Sequence, residues 1–306
     1  MKYNQNNHPL ICMQTQSLCY KATSKMNIKG VLWHSTGANN PKLSRYVQPS
    51  TNDSNYEQLM QLLGDNPNNN DWNHTVVYAG LNAWIGKLAD GTITTVQSMP
   101  WDYAPWGCGE GPNGSCNDGW IQFEICEANL DDPDYFAAVY QEACELTAYL
   151  CLMYNIDPNG TVQHNGVNVP TILCHNDSYK LGLGSGHSDI THWFPRYGKS
   201  MVSVRRDVAA LMQGNEIILP VANTPIIDEE DDEDMTQEQF NKMMDNYLVQ
   251  LAKQEPSEWS KGCRNYCEAK GLIKGDEKGN KMYKKFVTRE ELASVLHRIF
   301  EYGLPK

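Results

Sequence analysis

Three of the chain's eight histidines fall in one short stretch, TILCHNDSYKLGLGSGHSDITHWF at 171–194, and this stretch constrains the fold more than any other. Ile172, Leu173 and Cys174 form an apolar run between Pro170 and the polar Asn176-Asp177-Ser178, which reads as a short buried strand ending in His175. A side chain at a strand end is held rigidly and still reaches a cleft. The glycine-rich return through Gly182, Gly184 and Gly186 then brings His187 back. Neutral imidazole is a good zinc ligand, and a catalytic zinc site needs three protein ligands with one position left open.

A third ligand must come from elsewhere in the chain. In KGVLWHSTG at 29–37, Val31, Leu32 and Trp33 make another short strand that ends in His34, and two strand-end histidines can lie side by side in one sheet. These residues resemble the zinc-dependent N-acetylmuramoyl-L-alanine amidases of the type-2 amidase and peptidoglycan-recognition fold. In that family a first histidine ends an early strand and a second, in a Gly-His-Ser/Arg/Asn-Asp context, ends a late one. A cysteine, aspartate or histidine follows a turn or two later.

Carried onto this chain, the resemblance implies Zn2+ held by His34, His175 and His187. An alternative stays open, because GHSD at 186–189 also fits the second-histidine context; His187 would then be the second ligand and His192 the third. The strand before His175 favours the first assignment.

The resemblance extends to the middle of the chain. The APW at 104–106 and the strand WIQFEIC at 120–126 match a family segment in which a glutamate sits on a strand, so Glu124 falls on the family's catalytic carboxylate. By strand alternation Phe123 and Ile125 face the other side, and a carboxylate among such neighbours is expensive unless it is paired or functional. His192 or Lys180 is the candidate for stabilising an oxyanion, and Trp84, Trp101, Tyr103, Trp106 and Trp193 are candidates for lining a glycan and peptide groove.

The remaining elements follow from periodicity. A short helix is expected over Tyr56–Leu63, a strand meander over 72–96 with a turn at Asp90-Gly91, a long helix from Asp131 to Tyr154 and a further helix from about Met201 to Met212. In the long helix Phe136, Val139, Tyr140, Ala143, Leu146, Leu150 and Cys151 recur at helical spacing, so it should cover one sheet face. The first 28 residues are expected to wrap over the core. The fold class is therefore α/β, a mixed central sheet flanked by helices in a domain spanning 1–215.

Beyond it, 216–234 reads as an acidic linker around DEEDDED, whose self-repulsion keeps two parts apart. Residues 235–253 carry Phe240, Met243, Met244, Tyr247, Leu248 and Leu251 on one helical face, a packing or homodimer seam. The tail at 255–300, with Trp259, GLIKGD and VTREELA, resembles an S-layer homology unit. Residues 235–306 are thus expected to form a small all-α module that binds a secondary cell-wall polymer or oligomerises.

The net charge of -12 argues against a nucleic-acid partner, which would need a basic face. No window approaches the roughly 18 apolar residues of a membrane span, and MKYNQNNHPLICMQTQ carries no apolar core of a signal peptide. The expectation is a chain made in a host cytoplasm that acts on the cell wall after release, as a phage endolysin does. Most of the ten cysteines sit in apolar runs, and Cys108 and Cys116 flank a glycine-rich loop, where free thiols are favoured over a disulfide or metal clip.

The implied reaction is hydrolysis of the amide between N-acetylmuramic acid and the L-alanine of the peptidoglycan stem. Two rivals differ in class. A cysteine peptidase acting on the same wall would use Cys126 or Cys174 as nucleophile, and a non-catalytic recognition module would bind muropeptides without cleaving them.

Overall fold

The runs that end in His34, Glu124 and His175 are three neighbouring strands of one sheet. In the computed structural model, which describes residues 1–217 and then 241, 248, 254–273, 275, 279, 281–284 and 289–302, the first unit has the elements β1 (Leu10–Ile11), α1 (Leu18–Ala22), β2 (Gly30–Ser35), α2 (Tyr56–Leu63), β3 (Ala83–Lys87), β4 (Ile93–Gln97), β5 (Trp120–Ile125), α3 (Pro133–Tyr154), β6 (Thr161–His164), β7 (Val167–Pro170), β8 (Ile172–Cys174), α4 (His175–Lys180) and α5 (Met201–Met212). Six strands form the central sheet in the order β1-β4-β3-β5-β2-β8. β3, β5, β2 and β8 are mutually parallel, β4 runs antiparallel to β3, and β1 pairs in parallel with β4. The result is a mixed α/β architecture, the fold class expected from the sequence.

One sheet face is closed by helices. Val31, Trp33, Ile121, Phe123 and Ile125 point to it and pack against Phe136, Val139, Tyr140 and Ala143 of α3 and against Val204 and Val208 of α5. Strand alternation and helical spacing thus meet on a shared core. Helix α3 begins where Asp132 accepts a hydrogen bond from the Tyr135 amide at 3.0 Å, with Pro133 in the first position, and ends at Asn155 in the left-handed region. All seven positions that the periodicity selects in α3 are buried.

The other face carries two smaller apolar groups, one around Leu43, Leu59, Leu63 and Trp84, the other around Leu32, Cys108, Trp120 and Leu173. Polar residues of β2 and β5 lie between them.

The N-terminal segment does wrap over the core. Tyr3 is buried, and its hydroxyl donates to Glu142 of α3, which also accepts from Thr95 Oγ1 at 2.8 Å and pairs with Lys2 at 2.6 Å. The expected meander is shorter than its sequence suggests: β3 and β4 form a hairpin through Asp90-Gly91, whereas 72–82 contains no strand and Val76 and Tyr78 stand exposed. Asp71 explains the difference, since its carboxylate accepts from the amides of Asn73 and His74 and turns the chain locally instead. The hairpin β6–β7 was not anticipated.

The chain divides into two compact units, Met1–Asp228 and Glu229–Lys306. In the second, α6 (Lys261–Ala269) and α7 (Arg289–Tyr302) are helical, Trp259 is exposed and Leu272 is buried. The acidic run at 228–234 lies outside the described residues, as does the 235–253 stripe apart from 241 and 248. Among the described residues no helix is long and apolar enough to cross a membrane.

Phe136 is fully buried, stacked on Tyr197 at 4.2 Å between ring centroids and edge-on to Trp193 and Phe194 at 5.2 Å. Replacing it with alanine removes that contact set and leaves a cavity. Phe136→Ala is expected to destabilise the first unit by about 3–5 kcal/mol, read from the urea midpoint.

Candidate active site

Parallel pairing sets the site. The register aligns His34 of β2 with Glu124 of β5, Glu124 with Trp84 of β3, and Trp33 with Cys174 of β8, so His175, the next residue, comes beside His34. A row of chemically active side chains therefore crosses the carboxyl ends of the parallel strands, where open α/β sheets present their ligand sites. His175 is the first residue of α4, whose start is fixed by the Cys174 amide donating to Asp177 Oδ2 at 3.3 Å.

His34 and His175 are almost fully buried, with their Nδ1 atoms 3.1 Å apart and their rings edge-on. The third member of the cluster is Asp189. Its Oδ2 lies 3.4 Å from His34 Nδ1 and 3.2 Å from His175 Nδ1. Among the described residues, these three form the group whose ligand atoms could share one metal ion, all lying within 4.8 Å of one another.

His187 stands outside that cluster. It is exposed, its ring lies 4.4 Å from that of His175, and its Nδ1 faces Ser185 Oγ at 3.2 Å. His192 is further removed, with Nε2 on Glu127 Oε1 at 2.9 Å. The cause is the way the loop is clipped to α4: the Asn176 amide donates to Asp189 O at 3.2 Å and Asn176 Nδ2 to His187 O at 3.0 Å. These bonds turn Asp189 inward and leave the His187 imidazole at the surface. Sequence reasoning passed over Asp189 although it closes the GHSD motif and aspartate is an ordinary metal ligand.

The donor set fits a cation. His34 Nε2 faces Gln122 Oε1 at 2.8 Å, and an amide oxygen only accepts, so Nε2 carries a proton and Nδ1 is the nitrogen left free in the neutral ring. His175 Nε2 faces Ser185 Oγ at 3.3 Å, a hydroxyl whose own proton goes to Cys108 O at 3.2 Å. Two bare imidazole nitrogens and a carboxylate oxygen then converge, an arrangement that a divalent ion satisfies. Burial, together with the charge of His175, lowers the His34 pKa despite the nearby carboxylate of Asp189. Burial opposes ionisation of Asp189, but His175 and His34, which bond to it when a ring is protonated at both nitrogens, outweigh that and hold the carboxyl well below its ordinary range.

Glu124 is the contrast. Among the described residues its carboxyl has no hydrogen-bond partner, and it sits half-buried at the floor of the cleft. Burial first, then the neighbouring carboxylates of Asp189 and Glu127, raise its pKa well above that of an ordinary glutamate. Two depressions flank the row. One, of about 650 Å³, is walled by Glu110, Asn113, Lys180 and Ser185, and the other, of about 350 Å³, by Gly37, Glu127 and Arg196. Of the aromatic residues expected in a groove, Trp84, Trp101 and Trp193 are buried in the core.

The family model described as N-acetylmuramoyl-L-alanine amidase matches residues 24–192, which contain the whole row and the loop carrying Asp189. The chain belongs to this amidase family. No curated protein matches it. Among solved structures the amidase domain is similar to the Staphylococcus aureus hydrolase AmiA in complex with its ligand, at 17% identity over 69% of this chain and 88% of that one, with a TM-score of 0.44. PlyL is similar at 16% identity over 65% and 93% with a TM-score of 0.39, and the PlyG catalytic domain at 17% over 70% and 98%, also with 0.39. The family fixes the reaction class of this amidase as hydrolysis of an amide bond in peptidoglycan.

The raised pKa of Glu124 carries a linkage consequence. A carboxyl harder to ionise in the folded chain than in the unfolded one contributes stability below its unfolded pKa, and that contribution is lost as pH rises through the folded pKa. Glutamine, permanently neutral, does not lose it. In the metal-free amidase, Glu124→Gln is expected to raise the melting temperature at pH 7 and to leave it unchanged near pH 4, while abolishing turnover of cell wall; a lower melting temperature at pH 7 would contradict the assigned direction.

Proposed function

We propose that the chain is a zinc-dependent N-acetylmuramoyl-L-alanine amidase that cuts between the lactyl group of N-acetylmuramic acid and the L-alanine of the stem peptide. The observation that carries this is the convergence of His34 Nδ1, His175 Nδ1 and Asp189 Oδ2 beside an unpartnered carboxyl group, Glu124. His34, His175 and Asp189 are the residues that would hold the ion. Bound there, zinc would supply Lewis acidity, lowering the pKa of a water and polarising a carbonyl.

Glu124 then works as general base and acid. Its raised pKa suits it to take a proton from the attacking water and return it to the departing alanine nitrogen. The exposed imidazole of His187, lying against His175, is placed to donate a hydrogen bond to the oxygen that becomes negative as the carbonyl is attacked. His192 is held by Glu127 and suits this less well. The two depressions give the glycan and the peptide opposite sides of the row on which to lie.

The cysteine-peptidase reading is disfavoured by burial. Cys126 and Cys174 are fully buried, and burial pushes the Cys174 thiol up to about 12 and that of Cys126 well above its ordinary value, so neither supplies a thiolate at neutral pH. A recognition module without catalysis has no use for an unpaired, half-buried carboxyl such as Glu124, which costs stability. We further propose an endolysin role, with wall attachment through the S-layer-like tail.

Purified cell wall digested with the native, chelator-stripped and zinc-restored protein should release new L-alanine amino termini in the first and third cases only, without new reducing sugars. Two substitutions separate the ligands. Asp189→Ala should abolish stoichiometric zinc uptake, whereas His187→Gln should keep one zinc per chain and lose about 10²–10³ in kcat. Loss of zinc in the His187 variant with retention in the Asp189 variant would reverse the assignment.

A further inference from the structure

The glycine-rich segment between Trp106 and Gly119 has no part in the chemistry above, yet its bonds lead to both imidazoles. Along one arm, the amides of Gly107 and Cys108 donate to Asn117 Oδ1 at 3.1 Å, and Asn117 Nδ2 donates to Gly109 O at 3.3 Å. Two donors at one end and an acceptor at the other fix which end of the Asn117 amide is oxygen. That oxygen also accepts from Gln122 Nε2 at 2.9 Å, so Gln122 Oε1 is forced to face His34. The Gln122 Oε1 to His34 Nε2 distance is 2.8 Å.

Along the other arm, Ser185 Oγ donates to Cys108 O at 3.2 Å, which leaves its lone pairs for His175 Nε2 at 3.3 Å and His187 Nδ1 at 3.2 Å. The Ser185 amide donates to the same carbonyl at 2.8 Å and fixes the residue in place. Both chains of bonds thus start from the backbone of Cys108.

Two glycines make the approach possible. A Cβ on Gly107 would collide with Gln122 Oε1, and one on Gly109 would lie 2.7 Å from Ser185 Oγ, at a φ of +68° that side chains rarely adopt. Each relay residue therefore has a glycine beneath it.

We propose that the 107–117 loop is a positioning element that protonates neither ring itself but dictates where each ring keeps its proton, presenting the Nδ1 lone pairs of His34 and His175 together. It rests on the metal reading given above, because bare Nδ1 atoms matter only if an ion is bound. Gln122 and Ser185 are positioning residues, acting through the histidines. Outer hydrogen-bond partners of metal-bound histidines are typically worth about 10–100-fold in metal affinity.

The test begins with the unsubstituted full-length chain, metal-free and labelled with 15N at histidine. Two-bond nitrogen–proton correlation spectra are expected to show a proton on Nε2 of both His34 and His175; a His34 whose Nε2 is bare overturns the relay. Zinc affinity is then measured by competition with a chromophoric chelator. Gln122→Leu is expected to bind zinc about 10–100-fold more weakly, with His34 now present as both tautomers, and Ser185→Ala to do the same at His175.

Gly107→Ala, which removes no polar group, is expected to weaken zinc in the same direction and covers the case of a Gln122 variant that does not fold. If the parent binds zinc and the folded Gln122 and Gly107 variants bind it equally tightly, the relay is overturned alone. If the parent takes up no zinc, the metal reading falls and the purpose assigned to the relay falls with it.

Discussion

The parallel register of β2 between β5 and β8 is the constraint on which the site depends. It pairs His34 with Glu124 on one side and Trp33 with Cys174 on the other, and so decides that two imidazoles and a carboxylate from distant parts of the chain share one sheet face. Strand side chains alternate with a period of two, so a slip of one residue would turn His34 into the helix-covered core and bring Trp33 into the cleft. Trp33, Phe123 and Phe136 oppose that slip: all three are buried in the helix-covered core, with the Trp33 and Phe123 rings 5.1 Å apart, and a slip would expose Trp33 and Phe123. The core on one face is therefore what aligns the chemistry on the other.

Charge is distributed over the site in a consistent way. Asp189 is held ionised by the two histidines that it touches, while Glu124, on the strand beside His34 and without a hydrogen-bond partner among the described residues, is pushed toward its neutral form by burial first and then by that same carboxylate. Two acids in one cleft are driven apart in pKa by environment alone, the pattern that separates an electrostatic or ligating role from a proton-transfer role. Glu127 completes the gradient: it accepts from the Gly37 amide and faces His192, and it adds to the negative field at Glu124.

Much of this was legible in the sequence because it rests on local pattern. The strands ending in His34 and His175, the strand carrying Glu124 and the α3 stripe are all periodicities that burial on one face imposes. What could not be read was anything set by a loop closing on a distant element. That Asp189 and not His187 lies with His34 and His175 follows from Asn176 clipping the loop to α4, and the path of 72–82 from the Asp71 carboxylate capping its own turn. Both are short polar contacts with no periodic trace. The apolar-looking Val76-Val77-Tyr78 run had the composition of a strand without a neighbouring edge to pair with.

The glycine-rich loop shows why such contacts matter more than their individual energies. A hydrogen bond between neutral groups contributes only about 0.5–1.5 kcal/mol to folding, and the Asn117 and Gln122 bonds would be unremarked on that scale. Their value lies in direction. Each amide has one donating and one accepting end, so a chain of them transmits a polarity from the Gly107 and Cys108 amides to a ring nitrogen without moving any charge. The orientation of the two rings is thereby fixed by neutral groups, and Glu124, whose carboxyl has no hydrogen-bond partner among the described residues, stays unpaired beside them. A site built the other way, with charged residues orienting the histidines, would place more ions beside Glu124 and shift its raised pKa.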